Sequence, residues 1–136
     1  MARILVIEDQ EMLRATIRTV LEGAGHQIAL AVDGVDGLKQ LQRSDFALVL
    51  CDVFMPNKDG IATLTELRRR GVSVPVIMMS GGTPRRLRAG DPDDMDYLRL
   101  ATELGATRTV AKPFNARELR TLVDEVLAGE PRPSVH

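Results

Sequence analysis

A single cysteine, Cys51, is all the thiol the 136 residues contain. One cysteine excludes an intrachain disulfide framework, and the residue reads as a small buried side chain rather than a reactive thiol. Neither sign of charge dominates: 18 Lys and Arg stand against 19 Asp and Glu, a formal net charge of -1. Composition therefore offers no reason to expect direct nucleic-acid binding or an anionic membrane surface. The first strand-like run begins within a few residues of Met1 and is stopped by Glu8 and Asp9. It is too short for a signal peptide or a membrane span, and a reducing, cytoplasmic setting is expected. The chain also lacks a G-x-x-x-x-G-K-[ST] nucleotide loop, a second domain and any internal repeat beyond strand-helix alternation.

What is present is a core-forming chain, 44% hydrophobic and 27% charged, in the range of a globular domain. Ile4 to Ile7 predicts a buried strand. Leu13, Ile17, Val20, Leu21 and Ala24 recur at helical spacing, with Gly25 placed to close that helix. Ile28 to Val32 predicts a second strand, and Val35, Leu38 and Leu41 one face of a second helix. Ala47 to Cys51 is a third strand. Pro56 and Gly60 bracket a loop before a helix carrying Ile61, Leu64 and Leu67. Val74 to Met79 is a fourth strand. Tyr97, Leu98, Ala101 and Leu104 mark a fourth helix, ended by Gly105. Thr109 to Ala111 is a short fifth strand, and Asn115 with Glu118 forms a capping box for a last helix whose inner face is Leu119, Leu122, Val123 and Val126. Strands apolar on both faces imply a parallel sheet covered by helices on both sides. The expected architecture is a doubly wound α/β domain over residues 1–128, with residues 129–136 as an irregular tail.

Such folds bind ligands at the carboxyl ends of their strands. Strand one ends in Glu8 and Asp9, strand three in Asp52, strand four in Ser80 and strand five in Lys112. Brought to one edge, these are three carboxylates, a hydroxyl and an ammonium. Clustered carboxylates repel, and magnesium, a hard cation that prefers oxygen ligands, would resolve the repulsion. Asp52 is the natural nucleophile toward a phosphoryl group. Lys112 and Ser80 would then meet the remaining phosphoryl oxygens. Glu8 and Asp9 would also suit the N-terminus of the first helix.

These pieces resemble the receiver domains of two-component response regulators from Arg3 to Leu127. They are Glu8-Asp9, Asp52 with Met55-Pro56 and Asp59-Gly60, Ser80 after an apolar strand, and Lys112-Pro113-Phe114. The resemblance implies a flavodoxin-like five-stranded sheet in the order 2-1-3-4-5. It implies that Asp52 takes phosphate from the phosphohistidine of a sensor histidine kinase or histidine phosphotransfer protein. It implies Mg2+ held by Asp9, by Glu8 through water and by the backbone carbonyl of Phe54, and a cis bond between Lys112 and Pro113. Ser80 would move toward the phosphate and Lys112 would pair with it.

Three features depart from the family pattern. Thr109 stands where an inward-turning aromatic is usual, the stretch from Ser80 to Lys112 is long, and Phe54 is bulky beside the acceptor. They bear on output rather than on phosphorylation. The loop from Gly81 to Asp91, with Arg85, Arg86 and Arg88, and the start of the fourth helix are the expected output surface, with Asp91 and Pro92 opening that helix. Arg68, Arg69 and Arg70 read as a solvated helix end. The expected activity is at most self-phosphorylation and autodephosphorylation. Signalling would go through contacts with a downstream protein or by onward phosphotransfer, from a monomer or weak dimer. The alternatives are a receiver-fold binding module that works without phosphorylation and a small-molecule enzyme or flavin binder. An aspartyl phosphatase would want a second acid where Phe54 sits.

Overall fold

The computed structural model of the chain describes residues 1–55, 58–80 and 94–129, with 94–98 described by backbone alone. Five strands and five helices alternate: β1 (Arg3–Ile7), α1 (Glu11–Gly23), β2 (Gln27–Ala31), α2 (Gly34–Arg43), β3 (Leu48–Asp52), α3 (Gly60–Arg69), β4 (Val76–Ser80), α4 (Asp94–Glu103), β5 (Arg108–Ala111) and α5 (Ala116–Leu127). All strands are parallel in the order β2-β1-β3-β4-β5. Among the described residues, no helix is long and apolar enough to cross a membrane.

The period of two in a strand divides the core into two layers. Ile4, Val6, Leu48, Leu50, Ile77 and Met79 pack with Ile17 and Leu21 of α1 and with Leu119, Val123 and Val126 of α5. Leu5, Ile7, Val49, Cys51, Val76 and Met78 pack with Leu38 of α2, Leu64 and Leu67 of α3 and Ala101 of α4. β1, β3 and β4 are covered on both sides, which is why their sequences read as unbroken apolar runs.

Helix ends follow the expected signals. Gly25 and Gly105 take φ of 96° and 106° just beyond α1 and α4, the left-handed conformation glycine adopts without strain. Asn115 and Glu118 make the reciprocal capping box of α5. α1 departs from expectation. Its N-cap is Gln10, with no side-chain capping bond, so neither Glu8 nor Asp9 caps it. Instead Glu8 Oε2 accepts from the Gln10 backbone N–H at 3.0 Å. The strand limits also shift. β3 runs from Leu48 to Asp52 and β4 from Val76 to Ser80, against the expected Ala47 to Cys51 and Val74 to Met79.

The arginine cluster at the end of α3 is more than a solvated helix end. Arg68 donates to the carbonyls of Val72 (2.8 Å), Val74 (3.0 Å) and Gly105 (2.8 Å). It ties the α3–β4 connection to the α4–β5 turn. Arg69 and Arg70 both pair with Glu66 at 2.6 Å. Their hydrogen bonds, Arg69 foremost, bring its carboxyl down to about 2. The predicted output loop, with Arg85, Arg86, Arg88, Asp91 and Pro92, lies outside the described residues, as do Pro56 and residues 130–136.

Candidate functional site

The strand order makes β1 and β3 neighbours although β2 lies between them in sequence. The chain leaves β1 toward one edge and β3 toward the other, and that change of direction opens a crevice at their carboxyl ends. Register decides what meets there. Ile7 pairs with Cys51, which sets Glu8 level with Asp52. On the other side Asp52 pairs with Met79, and Ser80 pairs with Ala111, one residue before Lys112.

Glu8, Asp52 and Ser80 are fully buried. The ligand oxygens of Glu8, Asp9 and Asp52 lie within 4.8 Å of one another. Lys112 Nζ reaches into the group, 3.0 Å from Glu8 Oε1 and 3.2 Å from Asp52 Oδ1. The Lys112 N–H donates to the Ser80 carbonyl, which ties its backbone to the end of β4, and the peptide between Lys112 and Pro113 is cis. Burial raises the Glu8 carboxyl to about 7. The Asp52 charge pushes the same way, while Lys112 and the Gln10 hydrogen bond oppose it. Ser80 Oγ is buried and makes no hydrogen bond among the described residues.

Three oxygen donors in this spacing suit magnesium, whose ligands on opposite sides stand about 4 Å apart. The buried Ser80 hydroxyl at the end of β4 and the Lys112 ammonium add two donors at this sheet edge, a set matched to an oxyanion. The residues present therefore fit a magnesium ion and a phosphoryl group together. Asp9, Glu8 and Asp52 are the side chains that would hold the metal.

Phe54 lies two residues past Asp52, half-buried, with its ring on the α2–α3 side of the core. Thr109 is half-buried on β5, in register with Met78. Cys51 is 2% exposed and its thiol donates to the Asp52 carbonyl at 3.4 Å. Burial pushes its pKa far above the ordinary thiol value, which removes the thiolate from the chemistry.

The roles of three supporting residues escaped the sequence reading. Gly60 is legible as a loop boundary and as part of a motif, yet a Cβ there would stand 2.0 Å from the Asp52 carbonyl oxygen. Its N–H donates to the Val53 carbonyl at 2.8 Å. Arg14 donates through Nη1 to the carbonyls of Glu8 (2.8 Å) and Asp9 (3.3 Å). Arg108, 8% exposed on β5, pairs with Glu125 of α5 at 3.0 Å. Helical or strand periodicity carries no signal for contacts of this kind.

With this geometry in view, the class is plain. The response regulator receiver domain family model matches residues 4–124, and the chain belongs to that family. Among curated relatives, it is 36% identical over 134 residues to the transcriptional regulatory protein CpxR homolog of Haemophilus influenzae, covering 98% of this chain and 54% of the relative. It is 30% identical over 125 residues to the alkaline phosphatase synthesis transcriptional regulatory protein PhoP of Bacillus subtilis, covering 92% and 48%. The chain thus spans about half the length of these relatives. Among solved structures, the Francisella response regulator 1452 receiver domain superposes with a TM-score of 0.83 at 25% identity, covering 95% of this chain and 98% of that one. The receiver domain of NtrX from Brucella abortus gives 0.79 at 26% identity, covering 92% and 98%. Receiver domains of this family bind Mg2+ in an acidic pocket and are phosphorylated on aspartate, and they interact with histidine kinases or phosphotransfer proteins.

Proposed function

We propose that this protein is a magnesium-dependent phosphorylation switch in which Asp52 accepts a phosphoryl group from a phosphohistidine. The observation that carries this reading is the fully buried Asp52 carboxylate, 3.2 Å from the Lys112 ammonium and grouped with Glu8 and Asp9. The donor would be a sensor histidine kinase or a histidine phosphotransfer protein. A carboxylate oxygen of Asp52 forms the new O–P bond while the P–N bond breaks. The imidazole nitrogen leaves with the electron pair and takes up a proton. Magnesium, when bound, supplies positive charge to the phosphoryl oxygens as they transfer.

The chain's own groups do the rest. Asp9 and Glu8 would position the metal, with the Phe54 carbonyl as a further ligand. Lys112, now shared by two carboxylates, would turn to the phosphoryl group. The buried Ser80 hydroxyl would donate to a phosphoryl oxygen and report its arrival. The phosphoryl group adds roughly two negative charges at this strand end, and that charge biases a new surface toward a downstream protein. Thr109 is too short to act as an aromatic lever, so the signal would leave by another route. The reading sets the domain, residues 1–128, in the cytoplasm with its phosphodonor.

Acetyl phosphate tests the reading directly. The wild-type protein should gain the mass of one phosphoryl group in the presence of magnesium and none in EDTA, and Asp52→Asn should gain none in either. Labelling of Asp52→Asn at the wild-type rate would place the acceptor elsewhere. No labelling of the wild type under any condition would favour a binding module that works without phosphorylation.

A further inference from the structure

We propose that Arg14 is a positioning residue for the metal site, a clamp that holds the backbone of the acidic pair. The inference rests on the reading of Glu8, Asp9 and Asp52 as the magnesium-binding group.

The chain turns a corner between β1 and α1, and the acidic pair is the corner. The Glu8 N–H still belongs to the sheet, donating to the Ala31 carbonyl at 3.0 Å. The first helical acceptor of α1 is the Gln10 carbonyl, which takes the Arg14 N–H at 2.9 Å. The carbonyls of Glu8 and Asp9 stand between β1 and α1. Backbone acceptors in a partly buried corner need donors. Arg14 Nη1 serves both, at 2.8 and 3.3 Å. Arg14 therefore opens the helix with its main chain and fastens the corner with its side chain.

The fastening has an electrostatic purpose. Three carboxylates with oxygens within 4.8 Å push one another apart. The side chain of the N-cap Gln10 makes no capping bond that would stiffen the corner. Glu8 Oε2 also accepts from the Gln10 N–H, but through a carboxylate that the metal itself would engage. Arg14 holds the backbone instead, through carbonyl oxygens rather than carboxylates. With the corner fixed, magnesium meets a preformed group. With it loose, binding must also order Asp9 against its neighbours, and affinity drops. Groups that orient metal ligands from behind affect metal affinity in this way. One nitrogen, Nη1, serves both carbonyls, so a lysine ammonium, with three donors on a different stem, would replace the contact only in part.

A magnesium titration followed by backbone amide chemical shifts reads the effect without any phosphotransfer. Arg14→Ala should bind magnesium roughly tenfold more weakly than wild type, and Arg14→Lys should recover part of the loss. Arg18→Ala, one turn on at a residue whose partner is the exposed Glu22, should bind like wild type. Labelling by acetyl phosphate should be slow in Arg14→Ala at limiting magnesium and reach the wild-type rate at saturating magnesium. A general loss of fold lowers labelling at every magnesium concentration. If Arg14→Ala does not fold, Arg14→Lys, which keeps charge and helix propensity, carries the comparison. Wild-type magnesium affinity in the Arg14 variants, or slow labelling that persists at saturation, overturns the clamp alone. A wild-type protein that binds no magnesium overturns the metal reading together with it.

Discussion

The Lys112 ammonium stands 3.0 Å from the Glu8 carboxylate, 104 residues earlier in the chain. The same nitrogen is 3.2 Å from Asp52, so one cation serves two buried carboxylates on different strands. Removing one partner of a buried ion pair leaves uncompensated charge. Lys112→Met is therefore expected to destabilise the metal-free protein by about 3 kcal/mol, and magnesium should restore most of the loss. Urea unfolding with magnesium and with EDTA measures both quantities. A variant as stable as wild type in EDTA would show that the pairing is not what accommodates these carboxylates.

Glu8 makes the metal-free protein sensitive to pH. Folding raises its pKa from the ordinary 4.5 to about 7, chiefly through burial. Between those values the folded protein binds more protons than the unfolded chain. The contribution is thus complete below the unfolded value and is lost as pH rises through the folded one. Stability in EDTA should fall across that window by an amount on the order of 2 kcal/mol, and Glu8→Gln should flatten the slope. A wild-type profile that instead rises from pH 5 to pH 7.5 contradicts the assignment. Magnesium affinity should change in the opposite sense, strengthening with pH, because the metal needs the ionised ligand.

Magnesium should raise the melting temperature by mass action. At one hundred times its dissociation constant the gain is about 2.7 kcal/mol for a ligand that binds only the native state. Asp9→Asn should abolish most of that rise while leaving the two core layers intact, since Asp9 is only half-buried and lies outside both. A thermal melt with and without magnesium decides the matter, and an undiminished rise moves the metal away from Asp9.

Gly60 bears on Asp52 through space alone. An added Cβ would stand 2.0 Å from the Asp52 carbonyl oxygen and 2.8 Å from the Met78 side chain. Overpacking of this kind costs about 1–3 kcal/mol, and relief must come from moving β3's last residue or the start of α3. Gly60→Ala should slow acetyl phosphate labelling well beyond its effect on the melting temperature. Labelling at the wild-type rate would mean that the loop yields without disturbing Asp52.

The strand-helix alternation, the two-faced burial of β1, β3 and β4 and the strand ends that carry Glu8, Asp52, Ser80 and Lys112 are all legible in the linear sequence. Local periodicity encodes them, because a parallel sheet forces apolar runs and places the next residues at its edge. The capping box at Asn115 and the closing glycines at 25 and 105 are legible for the same reason: their partners lie within a few residues. Only the tertiary structure decided that Lys112 faces Glu8 as well as Asp52, that Arg14 reaches back to two carbonyls, and that Arg68 ties two connections together. The partners of Arg14 and Arg68 are backbone oxygens that every residue carries, so no residue type marks them in advance. The fate of Glu8 also had to wait for the fold. In sequence it is one acid beside another before a helix, and its raised pKa arises from complete burial against Asp52, a residue that only strand order makes its neighbour.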